Sequence, residues 1–300
     1  MEKLFLIDNH THGAFGINFN YADYNEMKFV LEELFKRGII AICPTLVGES
    51  DENIKRQLKL FKKIKEEQLL NPKKECFIIG AHLEGSFLNP ERPGIQDINT
   101  FKTPDIENFK NLAGEYEDII KIVTIAPELD LGLIDYLNSK NIIPQAGHTK
   151  GCDIKNSKGV THLFNTMPQI HHRNPSIALS ALIKDDIYTE IIADLVHLSN
   201  DILKLIFKTK PLDKILLISD SLPCAHSESD IIFCNKQINK EGRDIQGTLA
   251  GSNKTLDEIC LNLIDKNILN YDEIEKTAFY NQIDYLKLNA REITQIHYFK

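Results

Sequence analysis

A carboxylate at the end of a buried apolar run is the first sign of chemistry in this chain. The run Cys76-Phe77-Ile78-Ile79 leads into Gly80-Ala81-His82-Leu83-Glu84-Gly85. An unpaired buried carboxylate is costly, so a strand can deliver Glu84 to its end only where something cationic meets it. A metal ion is a cation that the rest of the chain can hold. His10 and His12 follow the first apolar run, His148 and His162 follow two later runs, and Asp220 follows the last. Two His two residues apart on an extended segment point to the same side, so both imidazoles of His10-Thr11-His12 can face one ion. Taken singly, these signals have plain alternatives: H-x-H arises by chance, a lone His after an apolar run also fits a satisfied core or loop position, and an acid at such a junction also fits a helix N-cap. Jointly they form a ligand set for one or two divalent ions. Imidazole and carboxylate suit Zn²⁺ or Fe²⁺ rather than Ca²⁺ or Mg²⁺. Such an ion lowers the pKa of bound water to roughly 7 and polarises a carbonyl, the equipment for hydrolysis at neutral pH. A carboxylate beside that water acts as general base and then as general acid, the role expected of Asp220.

These residues have to be positioned by strands. Short apolar runs alternate with longer amphipathic stretches along the whole chain, the pattern of repeated strand-helix units around a parallel sheet. Strands are predicted over 4–7, 39–43, 76–79, 119–125, 142–145, 160–164, 187–193 and 215–219. Helices are predicted over 24–37, 51–70, 103–112, 129–139, 151–157, 176–184, 199–208 and 254–266, several opening on Ser, Thr or Asp as helix starts prefer. Eight units imply a closed α/β barrel of the (β/α)₈ TIM type, with its site at the C-terminal ends of the strands. An open doubly wound sheet is disfavoured, because no strand runs into a convincing Gly-x-Gly-x-x-Gly turn. Residues 231–248 read as a surface hairpin inserted after the eighth strand, and 271–300 as one more helix followed by a short extended segment. The expectation is a single barrel domain over 1–300.

Composition bounds the partners. A chain of 300 residues with 42% hydrophobic content can bury a large core, and its net charge of -8 offers no footprint for nucleic acid or an anionic membrane. No uninterrupted apolar run approaches the ~20 residues of a membrane helix, and Met1-Glu2-Lys3-Leu4-Phe5-Leu6-Ile7-Asp8 meets an acid too soon for a signal peptide. A soluble, cytoplasmic protein is expected. The six cysteines contain no C-x-x-C pair, which fits reduced packing thiols.

Beyond spacing, blocks of the sequence resemble the N-acetylglucosamine-6-phosphate deacetylase family of the metal-dependent amidohydrolase superfamily. They are His82-Leu83-Glu84-Gly85 with Phe87-Leu88-Asn89-Pro90, Ala146-Gly147-His148-Thr149, and Thr161-His162-Leu163-Phe164-Asn165-Thr166-Met167. His172-Arg173-Asn174-Pro175, Ile191-Ile192-Ala193-Asp194 with His197, Ser219-Asp220, and Gly247-Thr248-Leu249-Ala250-Gly251-Ser252 continue in the family's order. The resemblance implies Glu84, His148 and His162 as main metal ligands, His10 and His12 as completing a second site, and Asp220 as the catalytic Asp beside them. It further implies substrate contacts from Asn165, Thr166, His197 and Leu249, and from His172 and Arg173, the Arg reaching the phosphate across a homodimer interface. A guanidinium fork suits that task. The implied reaction is deacetylation of N-acetylglucosamine 6-phosphate to acetate and glucosamine 6-phosphate.

Four departures from the family pattern stand out. The chain begins almost at the first strand, so the family's small β-sandwich is expected to be missing. Gln96 stands where many members place a substrate-facing His, so it can donate a hydrogen bond but cannot titrate. Cys224 and His226 follow Asp220 where small residues are usual, and are expected to narrow the pocket or add a ligand. Tyr280-Asn281-Gln282-Ile283 replaces an Asn-Pro-Ala motif. Alternatives follow: a deacetylase for another N-acetyl amino sugar phosphate such as the galactosamine epimer, or a catalytically silent barrel that binds a sugar phosphate. A cyclic amidase is disfavoured, because the fourth strand, Lys121-Ile122-Val123-Thr124-Ile125, has no Lys at its C-terminal end to be carboxylated as a bridging ligand.

Overall fold

The computed structural model describes residues 4–299. Eight parallel strands run in sequence order around one sheet: β1 (Leu6–Thr11), β2 (Ile39–Leu46), β3 (Ala81–Phe87), β4 (Ile120–Ile125), β5 (Ile143–Ala146), β6 (Gly159–Val160), β7 (Tyr188–Ile192) and β8 (Ile215–Ile218). The short piece Phe77–Ile78 also pairs with β2, below the point where Gly80 interrupts the third strand. The ring closes between its first and last members: Asp220 donates its amide to the His10 carbonyl at 2.9 Å, and His12 donates to Ser221 at 2.8 Å. Asp8 adds a side-chain tie, accepting the Ser219 amide at 3.2 Å and its hydroxyl at 2.5 Å.

Two strand boundaries are longer than their apolar runs suggest. β1 continues through His10, and β3 continues through Glu84, so both groups lie inside strands rather than beyond them. Ladder pairing carries polar residues to the barrel mouth, where side chains facing inward reach one another instead of a hydrophobic core. β6 is shorter than expected, because His162 and Phe164 take φ of 28° and 74°, which ends extended geometry.

Outside the ring lie α1 (Tyr24–Lys36), α2 (Asp51–Leu70), α3 (Ile106–Ala113), α4 (Leu133–Ser139), α5 (Ile177–Ile183), α6 (Asn200–Thr209) and α7 (Leu256–Asp265). Their starts are capped as the sequence demands. Asp23 and Glu26 form a reciprocal box, and Ser50, Asp105, Ser176 and Ser199 each accept a first-turn amide. The stretch 151–157 is not the helix expected. Asp153 instead accepts the Lys155 amide at 3.0 Å, Lys155 takes φ 51°, and Ser157 closes a turn on Ile154. Gly151, Asp153 and Asn156 favour turns by local side-chain bonding and backbone freedom.

The C-terminal segment is also helical where an extended piece was expected. α8 (Tyr271–Glu275) passes through a π-helical turn into α9 (Asn281–Leu286), and α10 (Ala290–Phe299) follows. Asn289 accepts the Glu292 amide while the Glu292 carboxylate accepts the Asn289 amide, a box that starts α10. Phe279, Tyr285, Leu286 and Ile296 pack on Ile7, Ile40, Phe77, Ile122 and Leu216, sealing the N-terminal end of the barrel. Asn281 donates to the carbonyls of Leu212 and Ile215, and Gln282 to that of Leu217, so this replaced motif pins the start of β8.

At the opposite end, β9 (Ile231–Phe233) and β10 (Lys236–Ile238) form the expected hairpin. Phe233 and Ile238 join Val47, Ile95, Leu222 and Cys224 in a small cluster over the mouth. Close backbone approach fixes the mouth beneath it: a Cβ on Gly85 would lie 1.9 Å from the Gly48 nitrogen and 2.5 Å from the Val47 carbonyl carbon. Backbone cannot swing aside, so Gly85→Ala is expected to lower stability by ~1–3 kcal/mol or more. Thermal unfolding of the purified variant checks this, and a wild-type Tm would contradict it.

Candidate active site

Six side chains converge at the C-terminal end of the ring. β1 contributes His10 and sends His12 from its end, β3 contributes Glu84, and His148, His162 and Asp220 each stand two residues past β5, β6 and β8. Three of them have positive φ: 45° at His148, 28° at His162 and 51° at Asp220. Non-glycine residues avoid that region, and such strain concentrates at functional positions.

Glu84 is the hub. Its Oε1 lies 2.8 Å from His162 Nε2 and 3.1 Å from His148 Nε2, and those two nitrogens are 3.2 Å apart. Its Oε2 lies 3.2 Å from His12 Nε2 and 3.7 Å from His10 Nε2. Asp220 Oδ1 is 3.3 Å from His10 Nε2 and 3.2 Å from His12 Nε2. All six residues are buried.

This donor set fits a divalent ion. Tetrahedral zinc ligands at about 2.0–2.1 Å from the metal stand roughly 3.3 Å from one another, close to the spacing around Glu84 Oε1. Glu84, His148 and His162 form one such group, and His10, His12 and Glu84 form another. The Nε2 of His10 is buried without a hydrogen bond although two carboxylates stand near it. Charge balance points the same way. Among the described residues the ion pairs of Glu84, Glu190 and Asp220 are all with imidazoles, never with Lys or Arg. Burial alone would raise the Glu84 carboxyl, but His10 and His148 hold it well below its usual range. Burial likewise opposes ionisation of Asp220, and His10 and His12 overcome it. Burial disfavours a charged His10, yet Asp220, Glu84 and Glu190 hold its pKa well above the ordinary value. The carboxylates thus draw positive charge inward, which a metal ion supplies without protonating the rings.

The hydrogen bonds behind these groups set their orientation. His148 Nδ1 lies 2.9 Å from the Arg92 carbonyl, and Gln96 donates to both the Glu84 carbonyl, at 3.0 Å, and its Oε2, at 3.2 Å. His197 Nδ1 is 2.9 Å from Asp194 Oδ2, whose other oxygen accepts the amides of Val196 and His197. Burial would raise the Asp194 carboxyl, and its bonds to His197 hold it lower.

A cleft opens over the six. Of the residues expected to touch substrate, Gln96, Asn165, Thr166, His197 and Leu249 line it, together with Val47, Ile95 and Phe233, which were not anticipated. His172 and Arg173 do not: they lie on an exposed stretch outside the cleft. Neither does the segment after Asp220 behave as expected. Cys224 is buried in the cluster beneath the hairpin, its thiol pushed up to about 11 by burial, and His226 faces away to stack on Phe15 and meet Arg37, Thr255 and Glu258. Glu190 was missed altogether, although an acid in the middle of Tyr188-Thr189-Glu190-Ile191-Ile192 is a signal that a buried strand carries a polar task.

No model of a protein family matches the chain. Among known proteins, N-acetylglucosamine-6-phosphate deacetylase of Bacillus subtilis is 33% identical over 263 residues, covering 82% of this chain and 65% of that protein. The chain therefore spans slightly less than two thirds of that relative's length. The deacetylase of the same name from Haemophilus influenzae is 30% identical over 279 residues, covering 87% of this chain and 70% of that protein. The crystal structure of N-acetylglucosamine-6-phosphate deacetylase from Thermotoga maritima superposes with a TM-score of 0.82 at 27% identity, over 94% of this chain and 78% of that one. Sequence likeness at this level, over this share of both chains and on one barrel, places the chain in the N-acetylglucosamine-6-phosphate deacetylase family.

Proposed function

We propose that this chain removes the acetyl group from N-acetylglucosamine 6-phosphate, releasing acetate and glucosamine 6-phosphate. The observation that carries the reading is the convergence of Glu84, four imidazoles and Asp220 beneath an open cleft in a chain of this family. Glu84, His148 and His162 would hold one divalent ion, zinc or iron by the chemistry of the donors, and His10 and His12 would hold a second with the shared carboxylate. When bound, such an ion polarises the amide carbonyl and lowers the pKa of water. The chain's own residues supply the proton handling. Asp220 is held ionised by His10 and His12, so it can take a proton from the attacking water and then give it to the departing amine.

Orientation of the sugar falls to the cleft wall. Asp194 fixes His197 through Nδ1, leaving the other ring nitrogen for a substrate oxygen. Gln96 is tethered to Glu84, and Asn165 and Thr166 lie beside His162, within reach of polar groups on the ligand. Val47, Ile95, Phe233 and Leu249 offer apolar surface for the acetyl methyl and a sugar face. Arg173, exposed and outside its own cleft, suits a phosphate held in a second copy, and a homodimer follows from that assignment. Sedimentation at twice the chain mass checks it. A reducing, cytoplasmic setting accords with six cysteines that form no disulfide, and no helix among the described residues is long and apolar enough to cross a membrane.

Comparing kcat/KM for the glucosamine and galactosamine epimers tests the substrate. A higher value for the glucosamine derivative is expected. A higher value for its epimer would reassign the sugar, and no acetate from either, with ions bound, would remove this class of substrate.

A further inference from the structure

We propose that Glu190 is a positioning residue, which fixes the ring of His10 and the backbone of His162 so that both present Nε2 to the ions at Glu84. The inference rests on the metal-dependent reading above, and concerns how the barrel holds its ligands.

Glu190 stands in the middle of β7 with its side chain wholly buried inside the barrel. Its Oε2 lies 3.1 Å from His10 Nδ1 and accepts the His162 amide at 3.4 Å, while Oε1 accepts the Gln145 side-chain amide at 2.8 Å. An ionised carboxylate only accepts hydrogen bonds. Facing it, a neutral His10 with an ion bound would carry its proton on Nδ1, which keeps the lone pair of Nε2 for that ion. Nε2 is the buried atom without a hydrogen bond between Glu84 and Asp220. One carboxylate therefore sets the tautomer of a ligand from β1. It also steadies the peptide of His162, whose φ of 28° is unfavourable for a residue with a side chain. A His ligand whose other nitrogen meets a carboxylate is oriented and made more basic, and losing that partner typically costs 10–100-fold in metal affinity.

Glu190→Gln separates this role from packing. The amide matches the carboxylate in size, and Gln145, whose Oε1 has no partner, can turn to accept from it. The core stays filled. What is lost is the charge: with its NH₂ turned to Gln145, the amide oxygen still faces His10 Nδ1 and the His162 amide, but as a neutral, weaker acceptor that leaves the ring less basic and less firmly held.

The test uses the full chain, stripped of metal and titrated with Co²⁺, with uptake per chain and the visible absorption of the bound ion read without substrate. Wild type is expected to take two ions, and Glu190→Gln to hold the second about 10–100-fold more weakly, with the metal-free Tm close to wild type. If Glu190→Gln fails to fold, Glu190→Asp, which keeps the charge but draws it back from His10 Nδ1 and the His162 amide, should weaken the second ion likewise. Wild-type affinity for both ions in the variant that folds, or uptake of a single ion by wild type, would overturn the proposal. Failure of the substrate reading looks different: two ions, weakened as stated in the variant, with no acetate from either sugar.

Discussion

Asp220→Asn is expected to lower kcat for acetate release about 10²–10⁴-fold, the range for loss of a general acid-base group, with KM little changed. The asparagine keeps the shape of the side chain and can occupy the same place beside His10 and His12, but it cannot take a proton from water or return one to an amine. In the native site the neighbouring imidazoles hold the Asp220 carboxyl below its ordinary range against the cost of burial, which favours the ionised form that the proposed base requires. Steady-state kinetics at saturating ion concentration checks this. A variant within threefold of wild type would place the proton transfer elsewhere, and His197 would be the next group to replace.

Glu84→Gln is expected to have a larger effect, because one carboxylate serves both ligand groups. Oε1 meets His148 and His162, and Oε2 meets His10 and His12. Taking away its charge removes the shared anionic ligand and leaves four imidazoles with Asp220 alone. Metal content after gel filtration should fall from wild-type level to near zero, and acetate release with it. Stability carries the same information. An ion at a thousandfold its Kd stabilises the folded state by about 4 kcal/mol, a Tm rise of roughly 10 °C for a chain of this size. That rise should be present in wild type and absent in Glu84→Gln. Retention of wild-type metal content by the variant would show that the ion sits elsewhere.

Much of the barrel was legible because strands buried on both faces read as continuous apolar runs, and helices with one buried stripe read as amphipathic. The long helix at Asp51–Leu70, opened by Ser50, has the bounds its pattern indicates. What escaped were places where polarity and order coincide. β1 and β3 carry His10 and Glu84 as ladder members, and an apolar-run rule stops short of them. Residues 151–157 have room for a helix, but side-chain bonds from Asp153 and a positive φ at Lys155 favour turns. The box of Asn289 and Glu292 was a readable helix start, and went unread at the chain's end.

The site divides in the same way. Ligand-type residues at strand ends could be gathered from spacing, since a parallel barrel brings those ends together. Loop residues could not. Cys224 and His226 follow Asp220 closely, yet the left-handed turn at His226 carries its ring outward to Arg37 and Glu258. Phe233 reaches the cleft from a hairpin whose placement depends on Val47, Ile95 and Leu222, contacts far apart in the sequence. Glu190 gave a signal of type rather than of spacing: one acid where apolar residues belong.

The most direct measurement follows acetate and free amine by proton NMR as metal-stripped protein acts on N-acetylglucosamine 6-phosphate before and after Zn²⁺ or Fe²⁺ is restored. The account predicts no product from stripped protein, and equal amounts of acetate and glucosamine 6-phosphate once the ion is returned. Product formation indifferent to stripping, or none from protein shown to carry its ions, would contradict it.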